Sequence, residues 1–285
     1  MTSAAQGAEA AAAAGVDTSS LPFDYDAFLA EQLRTQVKNI QRYERDGVWF
    51  WIKRTGPLVP AWRYNILRVL RVLMNEPVLG PVINHGGREA IATEVRRLKD
   101  LASRGIRVPQ VLAASEDGFV MSHLGLPGQE VHSLGNQIRA LVPQGPQAVM
   151  PLWQQGLDII HQVHESGTVL SQAFARNIVI CPDGELACVD FEDDPTAVLP
   201  MPVCQVRDAL CYAHSTAIYL SHAGALEPAR AAWREWLALP EHGAEFHRVL
   251  GNTTRRMKWA KYLPANRKLG RDTERLRAMW DLMGK

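Results

Sequence analysis

The feature that most constrains this chain is one short stretch in its second half. It runs Arg176-Asn177, Ile178-Val179-Ile180-Cys181, Pro182-Asp183-Gly184, Leu186-Ala187-Cys188-Val189 and Asp190-Phe191-Glu192. β-Branched residues on either side of a Gly-containing turn predict a hairpin of two short apolar strands. A hairpin brings its ends together, so Asn177 and Asp190 are expected side by side although far apart in sequence. An amide oxygen next to a carboxylate is a hard-oxygen pair of the kind Mg²⁺ takes. An ordinary hairpin with polar ends is the plainer alternative.

The flanking sequence has an α+β pattern. From Leu21 to about Tyr43 it is helix-like and polar. Val48-Trp49-Phe50-Trp51-Ile52-Lys53-Arg54 is a strand by its β-branched and aromatic content, closed by Thr55-Gly56-Pro57. Trp62, Ile66, Val69, Leu70 and Leu73 recur at helical spacing among Arg63, Arg68 and Arg71, which predicts a basic amphipathic helix. Past Gly86-Gly87 another helix begins near Arg88, carries Ile91, Val95, Leu98 and Leu101 toward a core, and closes at Gly105. Val108 to Ala113 and Gly118 to Met121 read as strands joined by Ser115-Glu116-Asp117. Leu152 to His164, Cys204 to His222 and several later segments are helical. Strands early and helices late predict a small sheet-containing lobe over residues 21–124 and a helical lobe over 125–285, after a disordered tail at 1–20.

A chain of 285 residues is long enough for two lobes with a substantial core. With 47% hydrophobic residues and a net charge of +1, its average is that of a soluble globular protein, and nucleic acid is not an expected partner. The first twenty residues lack a basic start followed by an apolar core, so no secretory signal is expected there. No apolar run is long enough to span a membrane. Cys181, Cys188, Cys204 and Cys211 form neither a C-x-x-C pair nor a zinc spacing, which fits small buried hydrophobes in a reducing cytosol. The even average hides a basic patch: nine Lys or Arg residues lie between Arg255 and Arg277, against Asp272 and Glu274. That patch and the Trp62–Leu73 helix suit an anionic membrane surface, so a cytoplasmic site peripheral to the inner membrane is one expectation. A helix packed on the small lobe and a solvated patch is the other.

The unit Asn177–hairpin–Asp190-Phe191 resembles the metal-binding hairpin of the protein-kinase-like superfamily, with Asp190-Phe191-Glu192 in place of Asp-Phe-Gly. The resemblance implies a bilobal protein-kinase-like fold, with a small sheet-containing N-lobe and a helical C-lobe, that binds ATP and Mg²⁺. Lys53 would then hold the phosphates, and Glu94 (or Glu89, earlier in the same helix) would orient Lys53. Backbone groups near Met121, Ser122 and His123 would meet the adenine edge. Asn177 and Asp190 would ligate Mg²⁺, and Asp208 of Arg207-Asp208 would anchor the loop before the hairpin. Plainer readings are a solvated Lys53, a surface Glu94 and a helix-terminal Asp208. His161 and His164, three apart, read as buried or capping residues more readily than as a metal pair.

Two departures stand out. Active members carry an Asp five residues before the metal-binding Asn, but here the run is Leu170-Ser171-Gln172. The amide of Gln172 can orient a substrate hydroxyl but cannot take its proton. The glycine-rich phosphate loop is also missing, since Gly47 is the only glycine between Leu21 and Lys53. Gly86-Gly87, at a helix start, offers backbone N–H groups as a substitute. The layout resembles small bacterial proteins of the lipopolysaccharide-kinase and aminoglycoside-phosphotransferase type. That likeness implies transfer to an envelope lipid, a sugar or a protein, with Gln172 and Asp190 at the reaction centre and Glu192 or Asp193 as candidates for the missing base. A pseudokinase acting as a nucleotide-responsive regulatory module is the second reading. An unrelated α+β hydrolase using Glu192-Asp193-Asp194 on a metal is the third. No G-x-S-x-G, H-E-x-x-H or Walker element supports other classes.

Overall fold

The computed structural model describes residues 23–56, 86–264 and 270–284. The 1–20 segment and the Trp62–Leu73 segment lie outside them. Helix α1 (Tyr25–Thr35) begins on Asp24, whose Oδ1 accepts from the N–H groups of Asp26 and Ala27 at 3.1 and 2.9 Å. The helical reading through Tyr43 is corrected: Ile40–Arg45 is strand β1, paired antiparallel with β2 (Val48–Arg54). The turn between them is Asp46-Gly47, both at positive φ (52° and 75°), the conformation a two-residue hairpin demands. A polar sequence with no clear alternation is thus made a strand by its turn and its partner.

Strand β4 (Gly118–Ser122) lies between β2 and β3 (Val111–Ser115), giving an antiparallel sheet of order β1-β2-β4-β3. Helix α2 (Gly87–Ser103) falls between β2 and β3 in sequence. The remainder is mostly helical: α3 (Leu134–Leu141), α4 (Pro146–Glu165), α5 (Met201–His222), α6 (Leu226–Leu237), α7 (Ala244–Arg256) and α8 (Arg271–Met283). Among them sits a second sheet of β5 (His132–Ser133), β6 (Ile178–Ile180) and β7 (Leu186–Cys188), in that order. Strand β5 had no sequence signal. Helix α4 starts six residues before Leu152 and runs through Pro151, where an interior proline removes one helical hydrogen bond and crowds the carbonyl four residues back. The fold is α+β, a small antiparallel sheet with a mostly helical remainder.

Two cores hold it. Leu29 of α1 packs with Phe50, Ile52, Ala113 and Val120 of the sheet, ringed by Phe23, Tyr25, Phe28 and Tyr43. The larger core joins Ile91, Leu98 and Leu101 of α2 to Trp153, Leu157 and Ile160 of α4 and Val206 and Tyr212 of α5. Helices α4 and α5 meet closely at Gly156, beside Tyr212, whose hydroxyl donates to the Trp153 carbonyl at 2.7 Å. Cys181, Cys188, Cys204 and Cys211 are unpaired and buried or half-buried. Burial pushes the thiols of Cys204 and Cys211 up to about 12. No helix among the described residues is long and apolar enough to cross a membrane.

Candidate functional site

The period-two pattern of β2 decides where Lys53 faces. Phe50 and Ile52 turn into the smaller core, which leaves Trp49, Trp51 and Lys53 on the opposite face. In α2, Ile91, Glu94, Leu98 and Leu101 share the buried stripe, so Glu94 is carried inward while Glu89 stays exposed in the first turn. Lys53 Nζ lies 2.6 Å from Glu94 Oε2, 2.8 Å from Glu192 Oε1 and 3.7 Å from Asp190 Oδ1. Burial works against the Lys53 ammonium, but the Glu94 and Glu192 carboxylates outweigh it and hold the pKa above the usual lysine value. Burial also raises the Glu94 carboxyl, and Lys53 draws it back.

The hairpin forms as its sequence predicts. Strands β6 and β7 pair Ile178 with Cys188, and Val189 N–H donates to the Asn177 carbonyl at 2.9 Å, which sets Asn177 beside the residue preceding Asp190. Asn177 Nδ2 donates to the Gln172 carbonyl at 3.2 Å, so the amide oxygen is the atom a cation would take. The Asp190 carboxylate is 46% exposed and within a ligand's reach. One ammonium against three carboxylates leaves the site short of positive charge. A hard divalent cation fits that deficit and these donors, with phosphate and water oxygens completing its shell as Mg²⁺ prefers. Among the described residues no three His, Cys, Asp or Glu are arranged to hold a metal by themselves.

Helix α2 is the common support. Besides Glu94, its Arg96 pairs with Asp194 at 2.8 Å, and its buried Arg97 donates to Thr168 Oγ1 at 3.0 Å and to the Val169 carbonyl. The loop that follows is fixed from below. Asp208, fully buried in α5, accepts from Leu170 N–H at 2.6 Å and lies 3.3 Å from His164 Nε2. Gln172 Nε2 donates to Asp193 Oδ2 at 2.6 Å, and Ser171 Oγ donates to the Asp193 carbonyl at 2.9 Å. Sequence alone does not assign these contacts of Glu192 and Asp193. The acidic run Asp190 to Asp194 was their signal, but not which acid goes where.

Of the positions expected near adenine, Met121 is paired in the sheet with both Trp51 and Val111, and Ser122 N–H donates to the Gln110 carbonyl. His123 is the first residue past the sheet's last pair. Its ring accepts from Trp51 Nε1–H at 3.2 Å and donates through Nε2–H to the Gln129 carbonyl at 2.7 Å. The basic patch carries less free charge than its sequence implies. Arg275 and Arg277 pair with Asp272 and Asp281, while Trp259 and Tyr262 stand exposed beside Lys258.

His161 and His164 form no metal pair. His161 lies against Glu241, and His164 Nδ1 faces His242 Nε2 at 3.4 Å. His242 packs between Trp236 and Phe246 and donates from Nδ1 to the Trp236 carbonyl at 3.0 Å. Burial, then the neighbouring His164, depress its pKa to about 4. An unfolded histidine protonates near 6.5, so on acidification the unfolded chain takes the proton first. The stability that neutral His242 contributes is present above about pH 6.5 and is lost as the pH falls toward 4. Between pH 7 and 4 the parent is expected to lose ~3 kcal/mol more than His242→Gln. Urea denaturation at stepped pH checks this, and parallel pH profiles for the two proteins would refute it.

No family model matches the chain, and no curated protein matches its sequence.

Proposed function

We propose that the chain is an ATP- and Mg²⁺-dependent phosphotransferase of the protein-kinase-like superfamily, acting on a hydroxyl of an envelope lipid, a sugar or a protein. One observation carries the reading: Lys53 is paired with Glu94 at 2.6 Å on the face shared with the hairpin ends, where Asn177 and Asp190 offer two hard oxygens. Lys53 would bind the phosphates and Glu94 would orient it. Asn177 and Asp190 would hold Mg²⁺, which when bound neutralises phosphate charge. The deficit of positive charge adds a sharper expectation. A free polyphosphate is repelled by Glu94, Asp190 and Glu192, so nucleotide binding should depend on the metal.

Thermal denaturation with ATP tests it. At 100 times Kd, ATP with Mg²⁺ is expected to stabilise the chain by about 2.7 kcal/mol. ATP with a chelator should do nothing, and Asp190→Asn should abolish the effect. An unchanged shift in that variant removes the metal assignment, and a flat response in the parent removes the reading. A nucleotide-responsive module without transfer is the second reading. Glu192 favours it, because its carboxylate already occupies the Lys53 ammonium at 2.8 Å. Mg²⁺-dependent binding with no phosphate release would mark that case.

A further inference from the structure

The Lys53 ammonium, the group that would receive a phosphate, already holds an anion supplied by the chain itself. Resting on the phosphotransferase reading above, we propose that Glu192 is the specificity-determining residue of the site. It stands on Lys53 in place of a phosphate and excludes anions that arrive without a divalent cation.

Three carboxylates surround the ammonium, and they are not equivalent. Glu94 Oε2 lies at 2.6 Å and Glu192 Oε1 at 2.8 Å, both within hydrogen-bond distance, whereas Asp190 Oδ1 stands off at 3.7 Å. An ammonium has three N–H donors, so the chain takes two of them for itself. The Glu94 side chain is 3% exposed, and parting it from Lys53 would leave a buried carboxylate without its cation, which is strongly unfavourable. The Glu192 side chain is 44% exposed, so water can solvate its carboxylate once released. Glu94 is therefore the permanent partner and Glu192 the exchangeable one.

The backbone on either side of Glu192 is held while its side chain is free to swing. Phe191 is buried in the larger core, with the Arg97 guanidinium 5.9 Å from its ring centroid, and the Asp193 carbonyl accepts from Ser171 Oγ at 2.9 Å. Release thus needs a change of rotamer at one exposed side chain, a picosecond-to-nanosecond event, and no rearrangement of the loop. The ion pair with Lys53 sets the threshold. A bare anion must break it and then sit beside both the released Glu192 carboxylate and Asp190. A divalent cation brought in with the phosphates offsets both carboxylates, because a bound cation is the largest local charge in such a site.

Inorganic tripolyphosphate in the presence of a chelator is the probe, titrated by calorimetry into the full chain. With Glu192 released in about 1–10% of parent molecules, removing its carboxylate raises the affinity about 10–100-fold. Glu192→Ala is expected to show that gain. Glu192→Gln, which keeps the shape without the charge, is expected to gain in the same direction and serves where the alanine variant does not fold. Adding Lys53→Met to Glu192→Ala is expected to abolish the gain. Asp190→Asn removes the same charge but leaves Glu192 on the ammonium, so it is expected to gain far less. An equal gain in Asp190→Asn and Glu192→Ala would show that general repulsion, not occupancy, excludes the anion, and would overturn the assignment. Glu192 variants that bind tripolyphosphate no more tightly than the parent, while the parent keeps its thermal shift with ATP and Mg²⁺, overturn this assignment alone. A parent with no such shift, whose Glu192→Ala variant gains tripolyphosphate binding, overturns the phosphotransferase reading and leaves the role of Glu192 standing.

Discussion

Asp208→Ala is expected to destabilise the fold by ~3–5 kcal/mol, the largest effect of any single side chain near the site. The Asp208 carboxylate is fully buried and accepts from Leu170 N–H at 2.6 Å, with His164 Nε2 3.3 Å away. Truncation leaves the buried Leu170 N–H without its acceptor and takes away the carboxylate beside His164 Nε2, in a place water does not reach. Asp208→Asn keeps an acceptor for Leu170 and should lose less. A lower urea midpoint at unchanged slope is the signature of lost stability without a change in the surface exposed. A midpoint for the alanine variant equal to the parent's would show that the loop does not hang on α5. The loop that Asp208 pins is also the one that brings Gln172 to Asp193.

The second large effect is steric. A Cβ at Gly156 would overlap the Tyr212 hydroxyl and come within 2.7 Å of Leu134 Cδ2. Alanine is worth roughly 1 kcal/mol over glycine in a helix interior, but here α4 and α5 would have to separate. Gly156→Ala is therefore expected to lose ~3 kcal/mol, at the upper end of overpacking costs. Tyr212→Phe removes the clashing oxygen along with its bond to the Trp153 carbonyl. Combining the two should cost less than the sum of the single changes, and a double-mutant cycle by chemical denaturation measures the coupling. Strict additivity would mean that α4 shifts away without straining against Tyr212.

How much of this was legible in the sequence follows from which interactions are local. The β6–β7 hairpin was readable because turn, strands and polar ends lie within one short window, and Lys53 and Glu94 because each sits on a face set by its own element's period. The end of α1 was missed because β1 is specified by pairing with β2 across Asp46-Gly47, not by its own composition. Strand β5 is two residues long and exists only as a partner of β6. The site was half legible for the same reason. Nothing within the window Asp190 to Asp194 tells Glu192 to find Lys53, Asp193 to find Gln172 and Asp194 to find Arg96. Those pairings are decided by α2 and the 170–177 loop, which pack against the run from far away in sequence. The Trp62–Leu73 segment lies outside the described residues.

Among the described non-glycine residues, Asp46, Ser171 and Asp190 adopt positive φ, and the last two, at 77° and 72°, flank the site from the loop and from the hairpin. A side chain in the left-handed region costs on the order of 1 kcal/mol, which glycine at the same place would not. The site thus sits where backbone ease and side-chain chemistry conflict, and the chain has kept the side chains. Directed evolution rewarding heat resistance alone would favour glycine at these two positions and strip the candidate site of the Asp190 carboxylate and the Ser171 hydroxyl while the molecule grew sturdier.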